Sequence, residues 1–440
     1  MNLNTWKTFR QQAYDCLERR ADALFSLCDG LLSSPQARTL PELSHSPFFE
    51  RKWPSVYAAL ADGKINLEQL QALCVRSALA EWPAEEVVWL AVDATPAERP
   101  EAQTSKDRGY IHVSNLPLAD KPISIGWMFS VVGLLPEQAS SWTPVLDVQR
   151  VSSEQTAVGV AIEQLRRLKP LLGTRQVVVV ADRWYGTPEM LRACRELGYR
   201  VLIRLKSNRK LYRKPVRRFP IGRPPQDGPL LQGTRPETQF DPAERWEQSD
   251  QQGKVTRVSR FDEVHFQQDR PLVFSVFRVE RTAARGTKRD PRVSWFLTLD
   301  DLLPLEQVPR RYGLRFSEEH LFRFLKQDLL WLAVRVRTPE QFERWSWIVA
   351  LAFLQLYLAR ELGLSALLPW EAKGRPITPR QVRRVMPSLL SQLGTPVCVC
   401  QPRGKAPGRA KGFRPRPAPR YAVIHKTSKK EKKGKTALST

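Results

Sequence analysis

The segment from Tyr312 to Lys326, YGLRFSEEHLFRFLK, carries several side chains that could act on a phosphate backbone. Four of them are separated by two, three and six residues: Tyr312, Arg315, Glu319 and Lys326. In a helix each residue advances about 100° around the axis, so these four lie within an arc of roughly 60° on one face. The adjacent Glu318 points about 100° away from Glu319 by the same count. The pattern therefore favours Glu319 as the functional carboxylate.

An amphipathic helix with a solvated charged face would explain any one of these residues equally well. The occurrence of all four on one arc favours a functional site. Gly313 is a poor helix former, so we expect the regular helix to begin only near Ser317.

Two earlier aspartates each follow a short apolar run that is typical of a buried strand. Asp93 ends the run VVWLAVD, and Asp182 follows the run from Val177 to Ala181. A carboxylate in this position is exposed at the rim of a sheet while its backbone stays in the ladder, which suits a rigidly held metal ligand. An aspartate that only caps a turn is the simpler alternative. The order strand, aspartate, helix, strand predicts an α/β fold with a partly parallel sheet.

Three other aspartates compete for the same role: Asp147, Asp300 and Asp301. After Asp182 the chain offers a good helix start, with Thr187 as the cap and Pro188 at the first helical position. Asp147 is followed by no helix start of comparable quality.

These features resemble those of DDE transposases from bacterial insertion sequences, which carry a Tyr-Arg-Glu-Lys signature. The resemblance covers roughly residues 86 to 330 and is strongest around Glu319. It implies an α/β fold with a ribonuclease-H-like mixed sheet flanked by helices. It also implies that Asp93, Asp182 and Glu319 are the catalytic and metal-binding triad.

The implied chemistry is phosphodiester cleavage at two Mg²⁺ ions, with Mn²⁺ as a substitute. In the family, water frees a 3′-hydroxyl at the transposon end, and that hydroxyl then attacks target DNA. By match to the signature, Arg315 and Lys326 hold phosphates, and Tyr312 packs on the DNA backbone or hydrogen-bonds to it. Trp184 and Tyr185 depart from the family's commoner pattern of a small residue followed by an aromatic one.

Composition supports a nucleic-acid partner. The 440-residue chain has a formal net charge of +25 at pH 7, which attracts polyanions. A membrane surface is the rival partner, but the basic residues are spread along the chain rather than confined to one amphipathic helix, so we expect no membrane partner. The ribosome is a further alternative. The N-terminus lacks the apolar core of a secretory signal, and the run from Trp347 to Ala359 is too short to span a membrane. Six scattered cysteines without paired CxxC motifs indicate reduced thiols, so we expect a cytoplasmic, nucleoid-associated protein.

Changes in pattern along the chain predict five regions. They are an N-terminal helical domain (1–80), a first part of the catalytic core (81–212), a β-rich insertion (213–294), a second part of the core with the Glu319 helix (295–395) and a basic, disordered tail (396–440). The resemblance implies that the first region binds the transposon end. Trp246 and Trp295, in or beside the insertion, could stack on a flipped base, although core packing is the commoner role of a tryptophan.

The sequence contains no Walker-type phosphate loop, nucleophile elbow or zinc-hydrolase motif. The expected function is therefore a DNA transposase that acts on its terminal inverted repeats and on target DNA, as a homodimer when synapsed. Two alternatives remain open. One is a catalytically inactive DNA-binding protein derived from a transposase, and the other is a stand-alone ribonuclease-H-like nuclease.

Overall fold

The computed structural model describes residues 2–113, 122–216, 224–282, 292–299, 303–366, 368–371, 374, 376–400 and 408–425. The rival aspartates Asp300 and Asp301 lie outside these ranges.

The N-terminal region is helical, as the sequence predicts. Its elements are α1 (Leu3–Asp15), β1 (Leu17–Arg19), α2 (Ala21–Ser33), α3 (Leu40–Leu43), α4 (Pro54–Asp62), β2 (Lys64–Ile65) and α5 (Leu67–Ala78). Side-chain caps fix two of the helix starts. Asn2 accepts a hydrogen bond from the Thr5 amide, and Asn66 accepts one from the Gln69 amide.

A mixed sheet with helices forms the centre of the molecule, and the α/β class is confirmed. Its elements are β3 (Val88–Glu98), β4 (Gly109–His112), β5 (Ile123–Leu134), β6 (Val145–Val151), α6 (Ala157–Leu172), β7 (Val177–Ala181), α7 (Pro188–Glu196) and β8 (Arg200–Leu205). Strands β3, β5 and β6 form an antiparallel meander. Strand β7 then runs parallel to β3, and β8 runs parallel to β7.

The predicted insertion consists of antiparallel strands. They are β9 (Leu211–Arg213), β10 (Leu230–Leu231), β11 (Glu244–Ser249), β12 (Val255–Phe266), β13 (Asp269–Arg281) and β14 (Arg292–Thr298), with a short 3₁₀ helix at Pro236–Thr238. The insertion is not a detached unit, because β14 pairs with β8 from Trp295 opposite Leu205 to Thr298 opposite Leu202. Twelve of the described strands therefore form one continuous sheet.

Four helices and a 3₁₀ turn follow the sheet. They are α8 (Gln307–Gly313), α9 (Phe316–Gln327), α10 (Pro339–Leu358), a 3₁₀ helix at Leu362–Ala366, and α11 (Pro379–Leu393). The segment Tyr312–Lys326 is divided between α8 and α9. The prediction that its regular helix starts near Ser317 is confirmed to within one residue. Helix α10 has a capping box formed by Thr338 and Gln341. In the described ranges, no helix has both the length and the apolar character that crossing a bilayer requires.

The N-terminal helices pack on α10 and share its core, and the separate N-terminal domain stays a prediction. Every residue of α2 from Ala23 to Leu32 is buried, which is the pattern of a helix enclosed on all sides. Buried Arg10 of α1 donates to Asp29 of α2 and to Gln355 of α10, at 2.8 Å in each case. This polar contact joins the three helices inside an apolar core.

Part of the predicted basic tail contacts the sheet. In the described stretch 408–425, the Tyr421 amide donates to the Gln103 carbonyl and the Ile424 amide donates to the Arg108 carbonyl, at 2.8 and 2.7 Å. The Arg108 guanidinium in turn donates to the Tyr421 carbonyl. For residues 401–407 and 426–440, which lie outside the described ranges, disorder remains a prediction.

Candidate active site

Asp93 and Asp182 lie side by side at one edge of the parallel part of the sheet. The register pairs Val92 of β3 with Ala181 of β7, and each aspartate is the next residue. Neighbouring strands are about 4.8 Å apart, so the two carboxylates emerge together. Each carboxylate is oriented by a nearby amide, because Asp93 Oδ1 accepts from Ala94 and Asp182 Oδ1 accepts from Trp184, both at 2.8 Å.

The Arg315 guanidinium lies between two of the predicted metal ligands. It donates to Asp93 Oδ2 at 2.9 Å and to Glu319 Oε1 at 3.1 Å. Burial disfavours the charged guanidinium, but the interaction with Tyr312 and then the negative charges of the neighbouring carboxylates, Asp93 first, outweigh that effect and raise the pKa of Arg315. Arg315 was predicted to hold a DNA phosphate. That role stays a prediction, and in the structure the guanidinium pairs with two carboxylates of the site.

The pKa of the Asp93 carboxyl reflects this crowded, buried environment. Burial raises the pKa of its carboxyl to about 6; the positive charge of Arg315 lowers it, and the negative charge of Asp182 raises it further. Opposite charges favour the ionised form and like charges oppose it, so the value reports both neighbours. Asp93, Asp182 and Arg315 therefore form one interacting group.

Glu318 is a further carboxylate at this site. It is 0% exposed, and neither carboxylate oxygen has a hydrogen-bond partner among the described residues. Burial raises its pKa well above the ordinary value, and the negative charge of Asp93 raises it further. Glu319 is by contrast 45% exposed. A buried carboxylate without a partner is costly, which marks Glu318 as a residue that packing alone does not explain.

A sequence signal for Glu318 existed. Glu318, Leu321 and Leu325 follow the spacing of one helix face, and both leucines are buried. The count around α9 therefore places Glu318 on the apolar stripe.

Tyr185 borders the same carboxylates from the loop after β7. Its ring is buried, and burial raises the pKa of its hydroxyl, followed by the charges of Asp93 and Glu318. Its neighbour Trp184 is 62% exposed, and Lys206 Nζ lies 3.6 Å from the centre of the Trp184 ring. The unusual Trp-Tyr pair thus places one aromatic ring under the site and one on the surface.

Tyr312 and Lys326 reach the site from different elements. Tyr312, near the end of α8, packs its ring 4.5 Å from that of Phe296, and the Arg315 guanidinium carbon lies 6.0 Å from the Tyr312 ring. Lys326 on α9 donates to Thr95 Oγ1 at 2.5 Å, two residues beyond Asp93 on β3. Burial lowers the pKa of Lys326, and the charges of Glu98 and Asp93 oppose that shift. Of the four signature residues, Arg315 contacts Asp93 and also joins Tyr312 and Glu319, and Lys326 is held near Asp93 through Thr95.

A family model described as DDE superfamily endonuclease matches residues 12–266, more than half of the chain. The chain belongs to the DDE superfamily endonucleases. Enzymes of this superfamily generally use divalent metal ions. The match includes Asp93 and Asp182 and ends before Tyr312, so Glu319, the predicted third carboxylate, is outside the matched region.

No curated protein matches the sequence significantly. Among solved structures, the DDE endonuclease is similar to the cryo-EM structure of a piggyBac transposase synaptic complex with hairpin DNA. The two chains are 9% identical, the alignment covers 85% of this chain and 72% of that chain, and the TM-score is 0.44.

The rival aspartate Asp147 forms structural contacts in the DDE endonuclease. It is buried on β6 and accepts hydrogen bonds from Gln71 of α5 at 2.6 Å and from Arg167 of α6 at 2.9 Å. Its carboxylate thus links two helices to the sheet, which accounts for its burial.

The two tryptophans proposed for base stacking differ in exposure. Trp295 is buried and packs against Phe261, with ring centres 5.7 Å apart, so core packing accounts for it. Trp246 is partly buried against the smaller apolar cluster beside α8.

No three acidic, histidine or cysteine side chains among the described residues stand close enough to hold a metal ion as they are placed. Arg315 provides a reason, because its guanidinium occupies the space between Asp93 and Glu319. The DDE endonuclease therefore has carboxylates beside one another but holds two of them with an internal cation.

Proposed function

We propose that this DDE endonuclease is a DNA transposase of the bacterial insertion-sequence group with the Tyr-Arg-Glu-Lys signature. It cuts transposon ends and joins them to target DNA by hydrolysis and transesterification of phosphodiesters. The observation that carries the proposal is the register of β3 and β7, which sets Asp93 beside Asp182, while Arg315 at the start of α9 joins Asp93 to Glu319. Family membership and the spacing Tyr312, Arg315, Glu319, Lys326 support the same function.

A ribonuclease-H-like core is part of the proposal. Its support is the arrangement β6-β5-β3-β7-β8, in which a three-strand antiparallel meander is followed by two parallel strands. In this arrangement the first and fourth strands of the core lie next to each other, and Asp93 and Asp182 follow the paired residues of those two strands.

The donor set fits a divalent cation. Asp93, Asp182 and Glu319 offer the hard oxygen ligands that Mg²⁺ prefers, and the Arg315 guanidinium between two of them is a stand-in positive charge. We propose these three residues as the ligands of two Mg²⁺ ions, which Mn²⁺ can replace. When bound, such ions activate the attacking hydroxyl and stabilise the leaving oxygen.

The chain's own cations would position the substrate. Arg315 can form paired hydrogen bonds to a phosphate once it leaves Asp93 and Glu319, and a guanidinium suits such bidentate contacts. Lys326 is held beside Asp93 by Thr95 and adds a point charge. Tyr312 supports the DNA backbone with a ring that is already fixed against Phe296.

The proposed partners are the terminal inverted repeats of the element and the target DNA. We propose a homodimer on synapsed DNA, transposon-end binding by the N-terminal helices, and association with the nucleoid. The net charge of +25 supports each of these DNA contacts.

Cleavage of DNA that carries the element's own terminal repeats tests the function. The wild type should cut at the repeat ends only with Mg²⁺ or Mn²⁺, and Asp182→Asn should lose at least about a hundredfold in rate. Asp241→Asn is the matched control, because Asp241 is fully exposed on the insertion. Cleavage that survives Asp182→Asn would overturn the site assignment. Cleavage without joining to target DNA would favour a stand-alone nuclease, and binding without cleavage an inactive DNA-binding protein.

A further inference from the structure

A cleft of about 380 Å³ opens between α8 and the insertion strands. Four cationic side chains line it, and no acidic residue does: Arg204, Lys254, Arg281 and Arg292. All four are exposed. Within the described part of the chain, none of the four forms an ion pair. Tyr312 and Gly313 form the side of the cleft toward the candidate active site.

Strand register concentrates the charge in this cleft. Arg281 of β13 stands directly opposite Arg292 of β14. Side chains in this relation are about 5 Å apart at Cβ, and like charges there are destabilising. An anion that binds between the two side chains would relieve this repulsion and stabilise the fold.

The other face of the same strands is arranged differently. Glu280, next to Arg281 in sequence, points to the opposite face and forms an ion pair with Arg278. Arg257, opposite Glu280 on β12, forms an ion pair with Glu247. Cations on that face are thus neutralised within the protein, whereas the cations in the cleft are available to an external anion.

The cleft leads directly to the carboxylates. Arg204 is close enough to Tyr312 for its positive charge to oppose the burial that raises the pKa of the tyrosine. Arg315 contacts the same tyrosine and donates to Asp93. Tyr312 and Arg315 therefore connect the cationic lining of the cleft to Asp93.

We propose that this cleft binds consecutive phosphates of one DNA strand beside the position that is cut. The inference rests on the proposed function, because it concerns the DNA that this function would use. Four cations spread over several strands match a repeating phosphodiester better than a single small anion. All contacts are to the backbone, so binding in the cleft should not depend on base sequence.

The test is DNA binding as a function of salt, measured by fluorescence anisotropy with a labelled duplex and no divalent metal. Asp182→Asn is the background, so that no cleavage occurs. Adding Arg281→Ala and Arg292→Ala should weaken binding about tenfold for two unrelated sequences alike, because two phosphate contacts are lost. The slope of log K against log salt should fall by about 1.8, since each contact contributes roughly 0.9.

The control adds Lys210→Ala, just before β9, and Arg235→Ala, in the insertion, which remove the same charge from exposed residues outside the cleft lining. This variant should keep most of the affinity and slope, and both variants should melt at the background temperature. An unchanged slope for the Arg281/Arg292 variant, or an equal loss in the control, would overturn the inference. Cleavage is measured separately on the wild type, so a protein that binds through the cleft but never cuts would refute only the proposed function.

Discussion

Arg315 Nη1 lies 2.9 Å from Asp93 Oδ2, a contact that joins residues 222 positions apart in sequence. The same guanidinium reaches Glu319 one helical turn further along α9. Two proposed metal ligands therefore share an internal cation, and its positive charge opposes the burial that raises the pKa of Asp93. Metal ions and Arg315 compete for the same oxygens.

Removal of Arg315 should therefore strengthen metal binding in the absence of DNA. We expect Arg315→Ala to bind Mn²⁺ about tenfold more tightly, which corresponds to roughly 1.4 kcal/mol, because the competing cation is gone. Titration followed by Mn²⁺ electron paramagnetic resonance measures this. Arg323→Ala, an exposed change on the same helix, should bind like the wild type. Weaker Mn²⁺ binding by Arg315→Ala would contradict the competition and assign the arginine a supporting role in the metal site.

Substitutions at Glu318 and at Glu319 should have different effects on protein stability and on its response to metal. Glu318→Met removes a buried, unpartnered carboxylate and keeps an unbranched side chain of similar length, so the metal-free protein should gain roughly 1–3 kcal/mol in unfolding free energy. Thermal melts with and without Mn²⁺ provide the comparison. If Glu319 is the ligand, Glu319→Gln should abolish the metal-induced rise in melting temperature and Glu318→Met should retain most of it. The reverse result would transfer the ligand role to Glu318.

Local sequence patterns predicted the strand end before Asp182, because an apolar run that stops at an acidic residue is a short-range signal. The same pattern was wrong for Asp93, since β3 continues to Glu98 and pairs with β5 along its whole length beyond the aspartate. The register that aligns the two aspartates depends on pairing between β3 and β7, which no local pattern encodes. The same limit applies to the pairing of β14 with β8, which merges the predicted insertion with the core sheet. The Glu319 helix was predicted as a charged arc. The position of Glu318 on the buried side depends on its spacing with Leu321 and Leu325, which the charged arc does not include.

The cysteines should divide into two classes in a labelling experiment. Cys398 and Cys400 are exposed, and the other four are buried. Burial raises the pKa of Cys74 and of Cys194 to about 12, so the reactive thiolate is scarce at neutral pH. Ellman's reagent should therefore modify two thiols quickly in the native protein and all six in denaturant. Rapid modification of more than two would contradict the packing of the N-terminal helices and α7.

The buried Arg10–Asp29 pair tests whether the N-terminal helices belong to the core. Asp29→Leu leaves Arg10 charged and buried without its carboxylate, so it should cost roughly 3–5 kcal/mol in unfolding free energy. Combining it with Arg10→Met should recover much of that loss, because two apolar side chains replace the pair. Urea unfolding followed by tryptophan fluorescence measures both effects, and Trp6 on α1 and Trp345 on α10 are buried reporters on the two sides of the contact. One shared transition that moves with Asp29→Leu is expected, because Arg10 ties α1 and α2 to α10 through Gln355. An early transition confined to α1–α5 would restore the separate N-terminal domain that the sequence suggested.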